Sequence, residues 1–446
     1  MTRLTDMTFR QPTVISALAA AAVVLVAASV NAQTTRTGGL FGATREGDAD
    51  RTHVSGLFTL GEMVETELPE EFRFGLPGNR RPTGGLSTLL MGSGDFAHNL
   101  GRAQIAAAGE TAFRYYDRLG LVDDVGHSAG VGVNVRLPRR ASIRLNQTAA
   151  YSPSFLYGLF PSSVTPALGD ATPVAPEYGV LEAGSYRYQT EAEFAIGSTS
   201  GTRVSVLGTY DRTDLRNRPG SFLGLESQSG RVRASRGIRR NLGVTAEYQY
   251  RNGRFGVVQF GTTDEHRIAI GIDYSRPLSG GRRLNVRGNV APSMMDIPRS
   301  SSPRLLAGRL YRMQGDGTVE YLFKRTWRVS SALRRSAEYL ALLGEPVLSD
   351  AGTVTLAGLL TRRLDLQASA AYADGASVIT MDRQLESYTG TVMLRFAVKR
   401  SIAIFGEYLY YHYDLRHYQA SIAGLPTMLD QQGISVGVTL WGSTSR

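Results

Sequence analysis

Leu242-Gly243-Val244-Thr245-Ala246-Glu247-Tyr248-Gln249-Tyr250-Arg251 is the stretch on which the reading of the chain turns. Its even positions are apolar and end in two tyrosines, while Thr245, Glu247, Gln249 and Arg251 occupy odd positions. Successive side chains of a strand point to opposite faces, so one face here is greasy and the other charged. Residues from Arg231 alternate in a similar way, and Arg239-Arg240-Asn241 supplies the turn that folds one arm onto the other. A soluble sheet also alternates, with its polar face toward water. Repetition separates the two cases: long hairpins of this kind recur down most of the chain with little between them. An antiparallel barrel with lipid outside and water inside is expected to read this way.

Working outward, strands are expected near 104–117, 127–137, 141–151, 185–197, 202–213, 228–238, 241–252 and 265–276. The second half gives 282–293, 309–323, 327–339, 351–361, 364–374, 386–398, 400–413 and 432–441. The fold class is therefore all-β, a transmembrane antiparallel barrel of about 16 strands, an even count as in bacterial barrels. Tight turns near Pro138, Ser200, Arg240, Gly280, Lys324, Arg362 and Lys399 alternate with long connections such as Ser152–Ser185 and Ala341–Asp350. Short turns face the periplasm and long loops face outward in such barrels. Basic pairs occupy most of the tight turns, among them Arg139-Arg140, Arg239-Arg240, Arg282-Arg283 and Arg362-Arg363. They read either as a charged ring for anionic headgroups or as residues that keep the turns solvated.

Lipid-side parity is shared by Tyr186, Tyr188, Phe194 and Ile196, by Ile268, Ile270, Ile272 and Tyr274, and by Ile434, Val436, Val438 and Leu440. Tyr248, Tyr250, Tyr274, Tyr410 and Tyr411 gather toward strand ends, where an aromatic girdle meets headgroups.

The N-terminus carries Arg3 and Arg10, an apolar run from Val14 to Ala28, and small residues at Val30 and Ala32. This is the pattern of a cleavable signal peptide over 1–32. Residues 33–103 form the least regular part, with strand candidates at His53–Glu65 and Gly85–Met91. They read as a periplasmic or lumenal segment, part of a plug, or an extra hairpin that raises the count to 18. The barrel proper is placed at 104–446. Cysteine is absent, so disulfides and thiolate metal sites are excluded. The net charge of +10 comes almost wholly from arginine, with lysine only at Lys324 and Lys399. Arginine pairs bidentately with phosphate and carboxylate, which suits an anionic lipid surface or an anionic solute. Base composition of the gene is the plainer alternative. Export argues against reading the basic charge as nucleic-acid binding.

With hairpin periodicity, signal peptide and the apolar final strand Gly433–Trp441 in view, residues 104–441 resemble bacterial outer-membrane barrels of the porin size class. The resemblance implies passive transport or export across the outer membrane, contact with outer-membrane lipid and lipopolysaccharide, and biogenesis by the barrel-assembly machinery. That machinery reads a terminal aromatic, here Trp441, although Gly442–Arg446 follow it. No cofactor is implied, and a homo-oligomer is left open.

By parity, Arg231, Arg233, Arg251, Arg267 and Arg287 point into the lumen at similar heights, with Glu191, Glu193 and Glu247 nearby. They form either a charged pore wall or a set of ion pairs in a filled lumen. The connection Ser152–Ser185 carries Phe155, Leu156, Tyr157, Leu159 and Phe160, and is expected to narrow the lumen, cap its mouth or pack on the rim. His412, Asp414 and His417 cluster at one strand end, but no nucleophile motif accompanies them, and no metal-ligand spacing or phosphate-cradling glycine loop is present. The leading expectation is a channel for small hydrophilic or anionic solutes, or the pore of a surface-polysaccharide export system. The alternatives are an adhesive or structural barrel that binds through its loops, and a barrel hydrolase at the outer rim.

Overall fold

The computed structural model describes residues 52–66, 85–117, 121–152, 168, 185–198, 201–215, 224–255, 262–278, 281–297, 308–323, 326–340, 346–378, 383–415 and 428–445. They build a single closed sheet of 18 strands. The first six are β1 (Thr52–Glu65), β2 (Gly85–Leu100), β3 (Ala103–Tyr116), β4 (Leu121–Arg136), β5 (Ala141–Ser152) and β6 (Ser185–Gly197). Next come β7 (Thr202–Leu215), β8 (Gly224–Arg239), β9 (Leu242–Phe255), β10 (Thr262–Leu278), β11 (Arg282–Ile297) and β12 (Gly308–Phe323). The last are β13 (Trp327–Tyr339), β14 (Pro346–Leu359), β15 (Leu364–Ser377), β16 (Arg383–Lys399), β17 (Ile402–Asp414) and β18 (Met428–Ser445).

Each strand pairs antiparallel with the next, and β18 pairs with β1 from His53–Ser445 to Glu65–Gly433, closing the cylinder. Closure removes the sheet edge around most of the cylinder, so backbone N–H and C=O groups need no water where the paired wall meets hydrocarbon. The count is 18, the higher of the two that the sequence allows, because Thr52–Glu65 and Gly85–Leu100 join the wall as its first hairpin. Among the described residues the first barrel strand is thus Thr52–Glu65, ahead of the expected boundary at Gln104. Residues 1–32 lie outside the described residues.

Alternation sorts the two faces as the sequence suggests. Ile268, Ile270 and Ile272 are 58, 70 and 51% exposed, and Ile434, Val436, Tyr186, Tyr188, Phe194 and Ile196 are exposed beside them. A belt of exposed branched and aromatic side chains on a closed barrel fits lipid and would be a liability in water. No helix among the described residues is long and apolar enough to cross a membrane. The wall spans the membrane by strands, as in bacterial outer-membrane barrels. Tyr411 departs from the expected girdle: it faces inward and is 3% exposed, while its neighbour Tyr410 faces out.

The tight ends include the β4–β5 turn, where Arg139 and Arg140 both take φ of 60°. Left-handed values at both central positions match the type I′ twist of a two-residue hairpin turn, usually built from Asn and Gly.

One part of the wall tears. β11 and β12 stay paired up to Ile297–Gly308, and β13 and β14 up to Tyr339–Pro346. β12 and β13, however, pair only from Phe323–Trp327 to Gly315–Arg335. Beyond Arg335 the β13–β14 tip leaves the wall and is buried on both faces, with Val347 at 0%, Leu348 at 4% and Ser349 at 1% exposure. Val347 and Ala351 pack with Met63, Leu385, Leu409, Tyr411, Tyr413 and Leu429. Ala337, Tyr339 and Leu348 pack with Leu225, Phe255, Met295, Ile297 and Val378. The second group sits at lipid-side parity yet meets lumenal side chains of β8, β9 and β11. That is geometrically consistent only if the tip crosses the inside of the barrel near its outer end. The sequence reads Ala341–Asp350 as a loop; Pro346–Asp350 instead belong to this inward strand.

Candidate pore-lining wall

Register fixes which side chains share a level. Arg231 lies opposite Gln249, which lies opposite Arg267, and Arg233 lies opposite Glu247. Arg251 faces Glu265 across the next pair, and Asp273 faces Arg287. All occupy the inward parity of β8 to β11, so the strand ladder gathers them onto one arc of the lumen. Long side chains reach diagonal as well as direct partners across a sheet.

The resulting contacts are graded. Arg231 Nη1 lies 3.8 Å from Glu247, Arg233 Nη2 3.5 Å from Asp273, and Arg287 Nε 3.6 Å from the same Asp273. Arg267 donates to Asn289 Oδ1 at 2.9 Å and lies 3.6 Å from Asp316. Asn289 in turn donates to Asp316. Arg251 is engaged otherwise, donating to Ser227 Oγ at 3.2 Å and stacking its guanidinium 3.8 Å from the centre of the Tyr339 ring. On β6, Glu193 lies 3.8 Å from Arg203 and Glu191 accepts from Gln189 at 2.8 Å. Arg187 pairs with Asp211 higher on the same arc.

Water reaches much of this arc. The side chains of Arg287 and Arg203 are 63% and 60% exposed although they point inward, so the lumen is open to solvent around them. Ion pairs under such conditions contribute little to stability individually. One carboxylate, Asp273, lies 3.5 and 3.6 Å from two guanidinium groups, and Glu247 lies directly across from Arg233, so charges of both signs interleave on this stretch of wall.

The lumen differs elsewhere. Between β1, β3 and β18 the inner face is filled and dry: Arg114 donates to Glu65 at 3.0 Å, and Ser87 and Gln431 donate to the same carboxylate. Arg395 grips Asp365 through two bonds of 3.2 and 2.7 Å, also buried. Open charged wall and packed sector are thus on opposite sides of one barrel.

Phe155, Leu156, Tyr157 and Phe160, expected to narrow the lumen, lie outside the described residues. The inward element that the structure does describe is the β13–β14 tip. Among the residues that matter on the charged arc, sequence reading missed Asp273, Asp316, Arg187 and Asp211. Their parity matched that of the arginines and was the available signal. His412 and Asp414 sit on the outward side of β17, with His412 beside the Tyr388 ring at 5.6 Å, and so face away from the lumen. His417 lies outside the described residues. Among the described residues no group of three or more His, Asp or Glu side chains is placed to hold a metal ion.

No protein-family model and no curated protein matches the chain. Several solved structures are similar in outline. Pseudomonas aeruginosa OpdL is 10% identical with a TM-score of 0.42, over 89% of this chain and 99% of that one. The outer membrane protein OprD of Pseudomonas aeruginosa is 9% identical at 0.43, over 91% and 98%. A mutant of the ferric enterobactin receptor PfeA from the same organism is also 9% identical at 0.43, over 88% and 81%. At these values the likeness bears no argument, and the barrel assignment rests on the chain's own strand pairing.

Proposed function

We propose that the protein is an outer-membrane channel for small hydrophilic solutes with a preference for anions. The observation that carries the reading is the Arg233–Asp273–Arg287 group, in which two solvated guanidinium groups share one carboxylate on the lumenal wall. Fixed charges along a water-filled passage bias which ions enter, and lumenal side chains tune selectivity in such barrels. An 18-stranded cylinder is wide enough to hold an aqueous channel. The β13–β14 tip across the outer mouth favours small solutes over a polysaccharide chain.

Planar-bilayer recording with a salt gradient tests this. The expected result is stepwise conductance with a reversal potential on the anion side. Absence of any steps from correctly folded protein would instead favour a structural barrel that binds through its loops.

A further inference from the structure

We infer that the β13–β14 tip is a gate strap, docked shut in this structure by Tyr339 and able to swing off the β8–β12 wall to widen the outer mouth. The inference rests on the channel reading above. It starts from the unequal way the tip is attached on its two sides. Toward β15 the hydrogen-bond ladder continues through Val347–Ser377, and Val378 N–H donates to Pro346 O at 3.2 Å. Toward β12 the ladder ends at Gly315–Arg335, and side chains alone hold the tip beyond it. A swing on that side breaks no strand-to-strand backbone hydrogen bond.

The side-chain attachment has a socket. Arg251, Gly253 and Phe255 are successive lumenal positions on β9, and the middle one has no side chain. The Tyr339 ring fills that gap, stacked on Phe255 with centroids 5.7 Å apart at 5°. Arg251 covers the ring at 3.8 Å and its Nη1 reaches Ala337 O at 3.4 Å. A Cβ at Gly253 would collide with the ring, so the socket exists only because the residue is glycine. Arg312 holds the neighbouring corner by donating to Val378 O at 2.7 Å. Release of Tyr339 would also uncover the guanidinium of Arg251 to the lumen, still bonded to Ser227 and opposite Glu265.

The chain has no cysteine, so a single engineered pair reports on the strap. Gly253→Cys with Tyr339→Cys should form a disulfide on oxidation. Under oxidising conditions the reconstituted protein should show only a small conductance, with several-fold larger steps appearing after reduction. Tyr339→Ala should favour the larger steps without any reagent, whereas Tyr339→Phe, which keeps the ring, should behave as the native chain. Leu348→Cys supplies a readout that needs no current, because the position is 4% exposed when the strap is docked. Its labelling by an external maleimide should be slow, and several-fold faster when Tyr339→Ala is added. Conductance unchanged by reduction, together with labelling unchanged by Tyr339→Ala, would show a fixed tip and overturn the strap while leaving the channel intact. Accelerated labelling in a protein that never conducts would uphold the strap and remove the channel reading. If Tyr339→Ala fails to fold, the oxidised and reduced forms of the cysteine pair decide.

Discussion

Glu65 and Arg114 meet at 3.0 Å although β2 runs between their strands, and neither side chain has more than 1% of its surface in contact with solvent. Such a pair has exchanged two hydration shells for a small set of protein contacts, and its charges balance only while both partners are present. Arg114→Leu should therefore destabilise the barrel by about 3–5 kcal/mol, because it strands a buried carboxylate. Adding Glu65→Leu to that variant should recover much of the loss. Urea unfolding of detergent-solubilised protein measures both, and equal damage in the single and double variants would refute the coupling.

The lipid and lumen faces should differ in their tolerance of charge. Ile270→Arg places a cation in the exposed apolar belt, at an expected cost of about 2–4 kcal/mol near the bilayer midplane. Thr245→Arg, on the adjacent strand but facing inward opposite Gly271, should fold into vesicles nearly as the parent does. Heat-modifiable gel mobility after refolding into lipid reports the difference. Comparable losses at both sites would mean that the parity assignment, or the barrel itself, is wrong.

How much of this was legible beforehand follows from the range of each signal. The lumenal arginines were legible because parity is local: Val232 between Arg231 and Arg233 already fixes the direction of all three. The first hairpin was legible as two strands but its membership of the wall stayed open, since Ser93, Gly94 and Asp95 blur the alternation in β2 and its place is set by β18, far away in sequence. The inward tip was hidden for a related reason. Pro346, Ser349 and Asp350 carry loop-like residues, and the burial of Leu348 comes from Leu225, Phe255 and Met295, remote strands that no local pattern couples to it. Ion-pair choice lay between these extremes. Parity placed Glu247 beside Arg231, whereas the shared Asp273 emerged only once register was known.

Selectivity should track the Arg233–Asp273–Arg287 group. Replacing Arg233 and Arg287 with Gln removes the two guanidinium groups beside Asp273 and makes that stretch of wall more negative. The reversal potential in a salt gradient should shift toward cations. The shift should shrink as salt rises, because charges are screened over about 8–10 Å at ordinary ionic strength. An unchanged reversal potential in a conducting double variant would remove these arginines as the selective wall.

The closing seam gives the last prediction. Gly437 on β18 lies opposite Gly61 on β1, where the two ends of the sheet meet. A Cβ at Gly437 would come within 2.6 Å of Gly61 Cα and 2.7 Å of the Phe405 ring, and would run into the carbonyl of Leu60. Backbone cannot yield as a flexible side chain can, so the strands would have to separate at the seam that completes the barrel. Gly437→Ala should cost roughly 1–3 kcal/mol, the usual scale of overpacking, and should slow closure during refolding. Gly442→Ala on the same strand is the control, since nothing lies within 4 Å of its Cβ position. The half-time of the mobility shift from unfolded to heat-modifiable form distinguishes them. If Gly437→Ala closes as fast as Gly442→Ala and melts at the same temperature, the seam tolerates a methyl group and the close approach of β1 and β18 is not needed for closure.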